Sequence, residues 1–336
     1  MPASQNILEI QDLRTFFYTS RGVVKAVNNV SFAVKPGEIL GIAGESGSGK
    51  TVVALSILRL IPFPGKIVSG EIFYKGEELL RKPPSEMVKI RGAEIGMIFQ
   101  DPMSSLNPVF TIGKQIVSAI QAHQKVSKEK ALEEAIRMVK AVNIPDPERR
   151  VNAFQHEFSG GMKQRVMIAL ALSCHPRVLI ADNPTTALDS TIQLQFLNLI
   201  LDLRKTYGMT ILYITHDFGI AAKLCDRVAV LYAGEIIEIG SVFDVLKSPK
   251  HPYTRGLIDS YPTPGMRQKR IHPIEGKQPD LAFLPLGCRF APRCKLVMPD
   301  CLAADIEFFE TGTEEKGHGV RCLLYKGRKI ESRKSL

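Results

Sequence analysis

The sequence predicts an α/β fold with a mostly parallel core sheet, an antiparallel edge sheet, an inserted helical subdomain and an irregular cysteine-bearing C-terminal extension. Three observations predict it. The apolar run EILGIA at 38–43 enters a glycine-rich turn and leaves as the helical stretch Thr51–Leu60, a strand–turn–helix unit. Downstream, the buried-strand patterns Val178–Ala181 and Thr210–Ile214 alternate with helical patterns at Thr191–Thr206 and Phe218–Leu224. Such alternation indicates parallel strands covered on both faces. Between these blocks, Thr111–Gln124, Lys128–Val142 and Gly161–Ser173 carry helical spacing, separated by the turn signals NIPDP and FSGG. Residues 101–175 are therefore expected to form the helical insertion.

The remaining elements follow in order. Ile7–Phe17 and Val23–Val34 alternate as strands of the edge sheet, and Pro36–Glu38 turns the chain into the core. Glu71–Tyr74 reads as a short strand before a Lys75–Gly76 turn, and Ile95–Phe99 as a buried strand ending at Gln100. Two short strands flank the turn at Ala233–Glu235. Beyond Leu246 prolines recur and periodicity fades, so 1–245 is expected as the main domain and 246–336 as the extension. A segment of that composition has little core-forming power and calls for an anchor.

Hydrophobic content of 45% and charged content of 23% are ordinary for a soluble globular chain of 336 residues. Its 44 basic and 34 acidic residues give +10, which favours an anionic partner: acidic lipid headgroups, nucleic acid or a nucleotide. No apolar run reaches the roughly 18 residues that a membrane span requires. The N-terminus lacks a basic stretch followed by an apolar one, so a cytoplasmic location is expected.

The glycine-rich turn reads GESGSGKT, the full pattern G-x-x-x-x-G-K-[ST] at Gly44–Thr51. Between a strand and a helix, the backbone N–H groups of such a turn converge on one concavity that suits a di- or triphosphate. The expected nucleotide contacts are Gly44, Glu45, Ser46, Gly47, Ser48, Gly49, Lys50, Thr51 and Val52. Lys50 would reach the β and γ phosphates, and the Thr51 hydroxyl would hold Mg²⁺. Asp182, at the end of the apolar strand in VLIADNP, supplies the second carboxylate site for Mg²⁺. FSGGMKQR at Phe158–Arg165 opens a helix with small residues and free N–H groups, a second anion-receiving turn.

With these motifs the chain closely resembles the ATP-binding cassette (ABC) ATPases, P-loop NTPases that serve membrane transporters. The resemblance implies that Ser159, Gly160 and Gly161 form the signature turn, which caps the γ-phosphate held by a partner in a head-to-tail dimer. It implies that Gln100, in FQDP, senses Mg²⁺ and the attacking water, that Thr186–Asp189 crosses to the partner, and that His216, in YITHD, contacts the γ-phosphate. An aromatic platform for adenine is implied at Phe17, with Tyr18 the alternate. One departure stands out: the family carries a glutamate after the strand-ending aspartate, and here the residue is Asn183. An amide hydrogen-bonds water but does not accept its proton. Asn183 is open to two readings. It is an introduced replacement that traps the closed ATP-bound state, or a natural degenerate site whose partner supplies most of the hydrolysis.

Of six cysteines, Cys174 and Cys225 lie in apolar surroundings and read as inert core thiols. The others follow Cys288-x₅-Cys294-x₆-Cys301-x₂₀-Cys322. Four thiolates suit either a tetrahedral zinc or a [4Fe–4S] cluster, though structural zinc usually includes a tighter pair. The run CRFAPRC, with HPYTRGL at His251–Leu257 upstream, resembles the C-terminal extension of oligopeptide and dipeptide importer ATPases. That resemblance implies an iron–sulfur cluster on Cys288, Cys294, Cys301 and Cys322; His318, nearby, reads as structural.

The expected function is ATP hydrolysis coupled to peptide import. Its expected partners are a second ATPase subunit, two permease subunits and an extracytoplasmic solute-binding protein, with the chain peripheral on the cytoplasmic face of the inner membrane. The rival readings are a non-hydrolysing ATP-binding subunit, an importer of nickel or another small solute, and a soluble ABC ATPase acting on nucleic acid or ribosomes. No nucleic-acid partner is expected.

Overall fold

The computed structural model describes residues 6–101, 105–185, 189–260, 274–311 and 317–327. They divide into two compact units, one drawn from Met1–Val34, Ile39–Leu80 and Ile214–Leu336, the other from Lys35–Glu38 and Arg81–Tyr213.

In the first unit, β1 (Leu8–Thr19), β2 (Gly22–Val34), β4 (Gly65–Tyr74) and β5 (Glu77–Glu78) form an antiparallel sheet in the order β2-β1-β4-β5. The expected short strand at 71–74 is thus the end of a longer one. Its N-terminal half alternates with many polar residues, which hides it from periodicity. The buried face of β1 meets the helix Lys50–Ile57, where the Thr15 and Ser56 hydroxyls share a hydrogen bond of 2.8 Å.

The same unit holds a mixed sheet. β3 (Ile39–Ala43) is buried throughout and runs parallel to β9 (Arg227–Tyr232), pairing Ala43 with Val230. Continuous burial explains the unbroken apolar run of β3. β9 turns through Ala233 and Gly234 into antiparallel β10 (Glu235–Ser241). The extension then supplies β12 (Gly319–Val320), antiparallel to β10, and β11 (Phe309–Glu310) beyond it. It also contributes the helix Pro252–Asp259, whose Tyr253 and Leu257 enter a core with Val228, Val230, Tyr232 and Phe290. The extension is irregular for most of its length, yet it packs as part of this unit.

In the second unit, β6 (Ile95–Ile98) and β7 (Val178–Asp182) are parallel neighbours, with Ile98 opposite Ala181. The helical insertion comprises Ile112–His123, Lys128–Ala141, a short Pro147–Arg150 turn and Gly160–Leu172. Their starts are written locally: Thr111, Ser127 and Ser159 each accept a backbone N–H of the first helical turn. Asp189 caps the long helix Ser190–Tyr207 by accepting from Thr191 and Ile192 at 3.0 and 2.9 Å. Gly208, at φ 61°, ends it before β8 (Thr210–Thr215). Among the described residues no helix is long and apolar enough to cross a membrane.

Candidate functional site

Residues 44–51 form the turn between β3 and the helix Lys50–Ile57. Glycine is required at two of its corners. Gly44 has φ 153°, and a Cβ there would fall 2.2 Å from the Leu231 carbonyl oxygen; Gly49 has φ 106°, and its Cβ would fall 2.2 Å from that of Ala26. The buried Lys50 side chain folds back over the turn, its Nζ donating to the carbonyls of Gly44 at 2.8 Å and Glu45 at 2.7 Å. Ser48 carbonyl oxygen accepts from Gly234 N–H at 2.8 Å, tying the turn to the β9–β10 hairpin. The ammonium is thereby held against the backbone carbonyls of its own turn.

The expected aromatic platform divides by environment. Phe17 is half-buried, and its ring closes on Gly65 so tightly that a Cβ there would lie 2.6 Å from it. Tyr18 is exposed, with Lys66 Nζ 5.9 Å from its ring centre. His216 is exposed just past the end of β8.

The second unit carries the remaining motif residues. Asp182 is buried at the C-terminal end of β7, and Gln100 is exposed just past the C-terminal end of neighbouring β6, so both occupy the same edge of the parallel pair. Asn183 adopts the left-handed region at φ 45°, and its amide donates to Asp182 Oδ1 at 3.2 Å. Ser159 Oγ caps its helix by accepting from Met162 N–H at 3.4 Å. Gly161 is confined, since a Cβ would meet Ile192 at 3.0 Å, whereas one at Gly160 would meet nothing within 4 Å among the described residues. In the stretch Thr186–Asp189 only Asp189 is described; 186–188 lie outside the described residues, as do 102–104, which begin at the proline of FQDP.

The four clustered cysteines, all free thiols, line one cavity with His251, Phe290 and Met298. Three sulfurs each accept the amide two residues on: Cys294 from Leu296 at 3.3 Å, Cys288 from Phe290 and Cys322 from Leu324. Burial pushes the Cys288 thiol up to about 11, opposed by the Phe290 amide and reinforced by the other three cysteines. Burial likewise raises Cys294 and Cys322. The thiols thus share a space without being drawn around a point: among the described residues no group of three or more His, Cys, Asp or Glu is arranged to hold a metal ion. A tetrahedral zinc would need four sulfurs about 2.3 Å from one centre, so the zinc alternative finds no support in this arrangement. An iron–sulfur cluster is not shown here either. His318 is buried in a structural role, its Nε2 2.8 Å from Glu238 Oε1.

Sequence reasoning missed the residues that join this extension to the phosphate turn. Arg293, beside Cys294, reaches back 248 residues to grip the Glu45 carboxylate, Nη1 to Oε2 at 2.9 Å and Nη2 to Oε1 at 3.1 Å. Tyr253 Oη accepts the Glu45 backbone N–H at 3.0 Å, and burial holds that phenol protonated. Arg289, beside Cys288, donates to the Ala233 carbonyl and pairs with Glu235 at 2.6 Å. The only signal was that CRFAPRC and HPYTRGL place arginine and tyrosine among the residues already singled out.

Residues 27–186 match the family described as ABC transporter, and 237–301 match the oligopeptide/dipeptide transporter C-terminal region. The chain is 51% identical over 323 residues to the probable peptide ABC transporter ATP-binding protein y4tR of Sinorhizobium fredii, covering 96% of each. It is 50% identical to the oligopeptide transport ATP-binding protein OppD of Bacillus subtilis, covering 87% of this chain and 82% of that protein. With the dipeptide transport ATP-binding protein DppD of the same organism it shares 44%, covering 96% of each. Among solved structures, the dimeric post-hydrolysis state of the ATP-binding cassette MJ0796 with ADP and Pi superposes with a TM-score of 0.63 at 28% identity. That match covers 70% of this chain and 98% of the other.

Proposed function

Because this chain belongs to the ATP-binding proteins of ABC transporters, we propose that it binds and hydrolyses ATP to power import of oligopeptides or dipeptides. One observation carries the reading: a formed phosphate turn with Lys50 over it occurs on the same chain as the C-terminal region of oligopeptide and dipeptide transporters. Gly44–Val52 would cradle the phosphates and Phe17 or Tyr18 the adenine, with Thr51, Asp182 and Gln100 around Mg²⁺. Mg²⁺ would neutralise developing charge on the phosphates. A second subunit, the same chain or a paralogue, would present its own Ser159–Gly161 turn to the γ-phosphate. That no described residue lies within 4 Å of a Gly160 Cβ supports a role directed outside the chain. Closure would then drive two permease subunits supplied by a solute-binding protein, with this chain peripheral on the cytoplasmic face of the inner membrane.

Asn183 would slow the chemical step, because its amide neither accepts a proton nor lies free of Asp182. His216 would contact the γ-phosphate. The same observation favours a second reading, a subunit that binds ATP and closes while its partner hydrolyses. At the four cysteines we assign a [4Fe–4S] cluster: four thiols on one cavity, three receiving amide hydrogen bonds, suit a polynuclear centre whose potential such bonds tune. A cluster would fasten four points of a weakly periodic segment.

Reconstitution with the cognate permeases and binding protein in vesicles tests the transport reading. ATP-dependent uptake of labelled peptide, lost in Lys50→Ala, is the expected result; uptake of nickel but not peptide would overturn it. Iron and sulfide analysis of anaerobically prepared protein tests the cluster, and protein without either, even after reconstitution, would remove it.

A further inference from the structure

We propose that Arg293 and Tyr253 are positioning residues of the nucleotide site, through which the cysteine-bearing extension presets the phosphate turn. Glu45 is held at three places. Its carboxylate grips Arg293 bidentately, its N–H donates to Tyr253 Oη, and its carbonyl accepts from Lys50 Nζ at 2.7 Å. Arg293 is itself fixed. It donates to the carbonyls of Glu275 at 3.0 Å and Ile274 at 3.3 Å, and its guanidinium lies 5.8 and 5.9 Å from the ring centres of Tyr232 and Phe290. Those rings pack on Tyr253 at 4.5 and 5.4 Å. Gln278 adds a further approach from the extension, its Oε1 3.6 Å from where a Gly47 Cβ would stand.

The pair is not a surface ornament. The Arg293 side chain is 6% exposed and that of Glu45 27%, and bidentate geometry fixes direction as well as distance. Since Cys294 follows Arg293 directly, a rearrangement of the cysteine loop moves the guanidinium, and with it the Glu45 peptide that orients Lys50. Coupling of this kind is reciprocal. Occupancy of the cysteine cavity and nucleotide affinity are therefore linked, positively if the cluster holds the loop in the arrangement seen here, a linkage that rests on the cluster reading, whereas the positioning role does not.

The test is equilibrium binding of MgADP to the full-length chain. Arg293→Met and Glu45→Gln each weaken binding by about 5- to 30-fold, the lower part of the range of ordinary coupling energies, and the double variant is no weaker than either single one. Arg293→Lys recovers part of the loss. Tyr253→Phe, which keeps the ring and removes the acceptor, also weakens binding and serves if Arg293→Met does not fold. Lys295→Met, which breaks the exposed pair with Glu275 next door, leaves affinity unchanged. Unaltered affinity in Arg293→Met, or losses that multiply in the double variant, would overturn the positioning role. The same titration on iron-loaded and iron-free protein, with iron and sulfide assayed, addresses the linkage. Tighter binding by the loaded form in wild type but not in Arg293→Met is expected. Iron uptake without any change in affinity overturns the linkage; failure to take up iron overturns the cluster reading and the linkage with it, leaving the positioning role to the variants.

Discussion

His318 donates from Nε2 to Glu238 Oε1 at 2.8 Å, joining β12 of the extension to β10 through two buried side chains. Glu238 is fully buried and also accepts the backbone N–H groups of Lys250 at 2.7 Å and His251 at 2.8 Å. Three donors converge on one carboxylate. Glu238→Ala should therefore destabilise the protein by about 3–5 kcal/mol, the cost of leaving a buried partner uncompensated. Urea denaturation would read this, and a loss under 1 kcal/mol would show that water replaces the carboxylate.

Acid should act through His251. Burial lowers its pKa from 6.5 to about 4, with Glu238 opposing, and its Nδ1 accepts the Tyr253 N–H at 3.0 Å. Between these values the unfolded imidazole binds a proton and the folded one does not. The contribution to stability is thus intact above pH 6.5, falls as pH drops toward 4, and falls no further below that. The loss amounts to about 3 kcal/mol. Comparing stability at pH 7 and pH 4.5 in wild type and His251→Asn checks it: the variant should show the shallower decline.

Asn183→Glu should raise steady-state hydrolysis in the assembled transporter by about 10²- to 10⁴-fold, the usual worth of a general base. An unchanged rate would place the chain among subunits that close on ATP without cleaving it.

Gly160→Asp should leave folding within about 0.5 kcal/mol of wild type, because no described atom lies within 4 Å of the added Cβ. It should abolish ATP-dependent dimerisation measured by light scattering, since a carboxylate would face the phosphates. A dimer that still forms would remove this turn from the interface.

The glycine-rich turn and the helix starts were legible because their chemistry is local: a glycine corner, a lysine, or a serine three residues from the N–H it caps. What escaped depends on register or on distance along the chain. Register shifts in β1 between Ile10 and Leu13, and again between Thr15 and Phe17, decide which aromatic is packed and which is exposed. Spacing alone does not reveal such bulges. Arg293 and Glu45 carry no mutual periodicity, and only folding brings them together. Cysteine spacing likewise marks a cluster without saying how widely its sulfurs stand apart.

Strand β12 also has a protective consequence. By lying along β10 it hides backbone donors and acceptors that would otherwise recruit another chain. Shortened forms ending near residue 245 would bare that ladder and lose the lid over Tyr232, inviting self-association rather than yielding a minimal ATPase. The extension thus covers a stretch of strand edge that the rest of its unit would leave open.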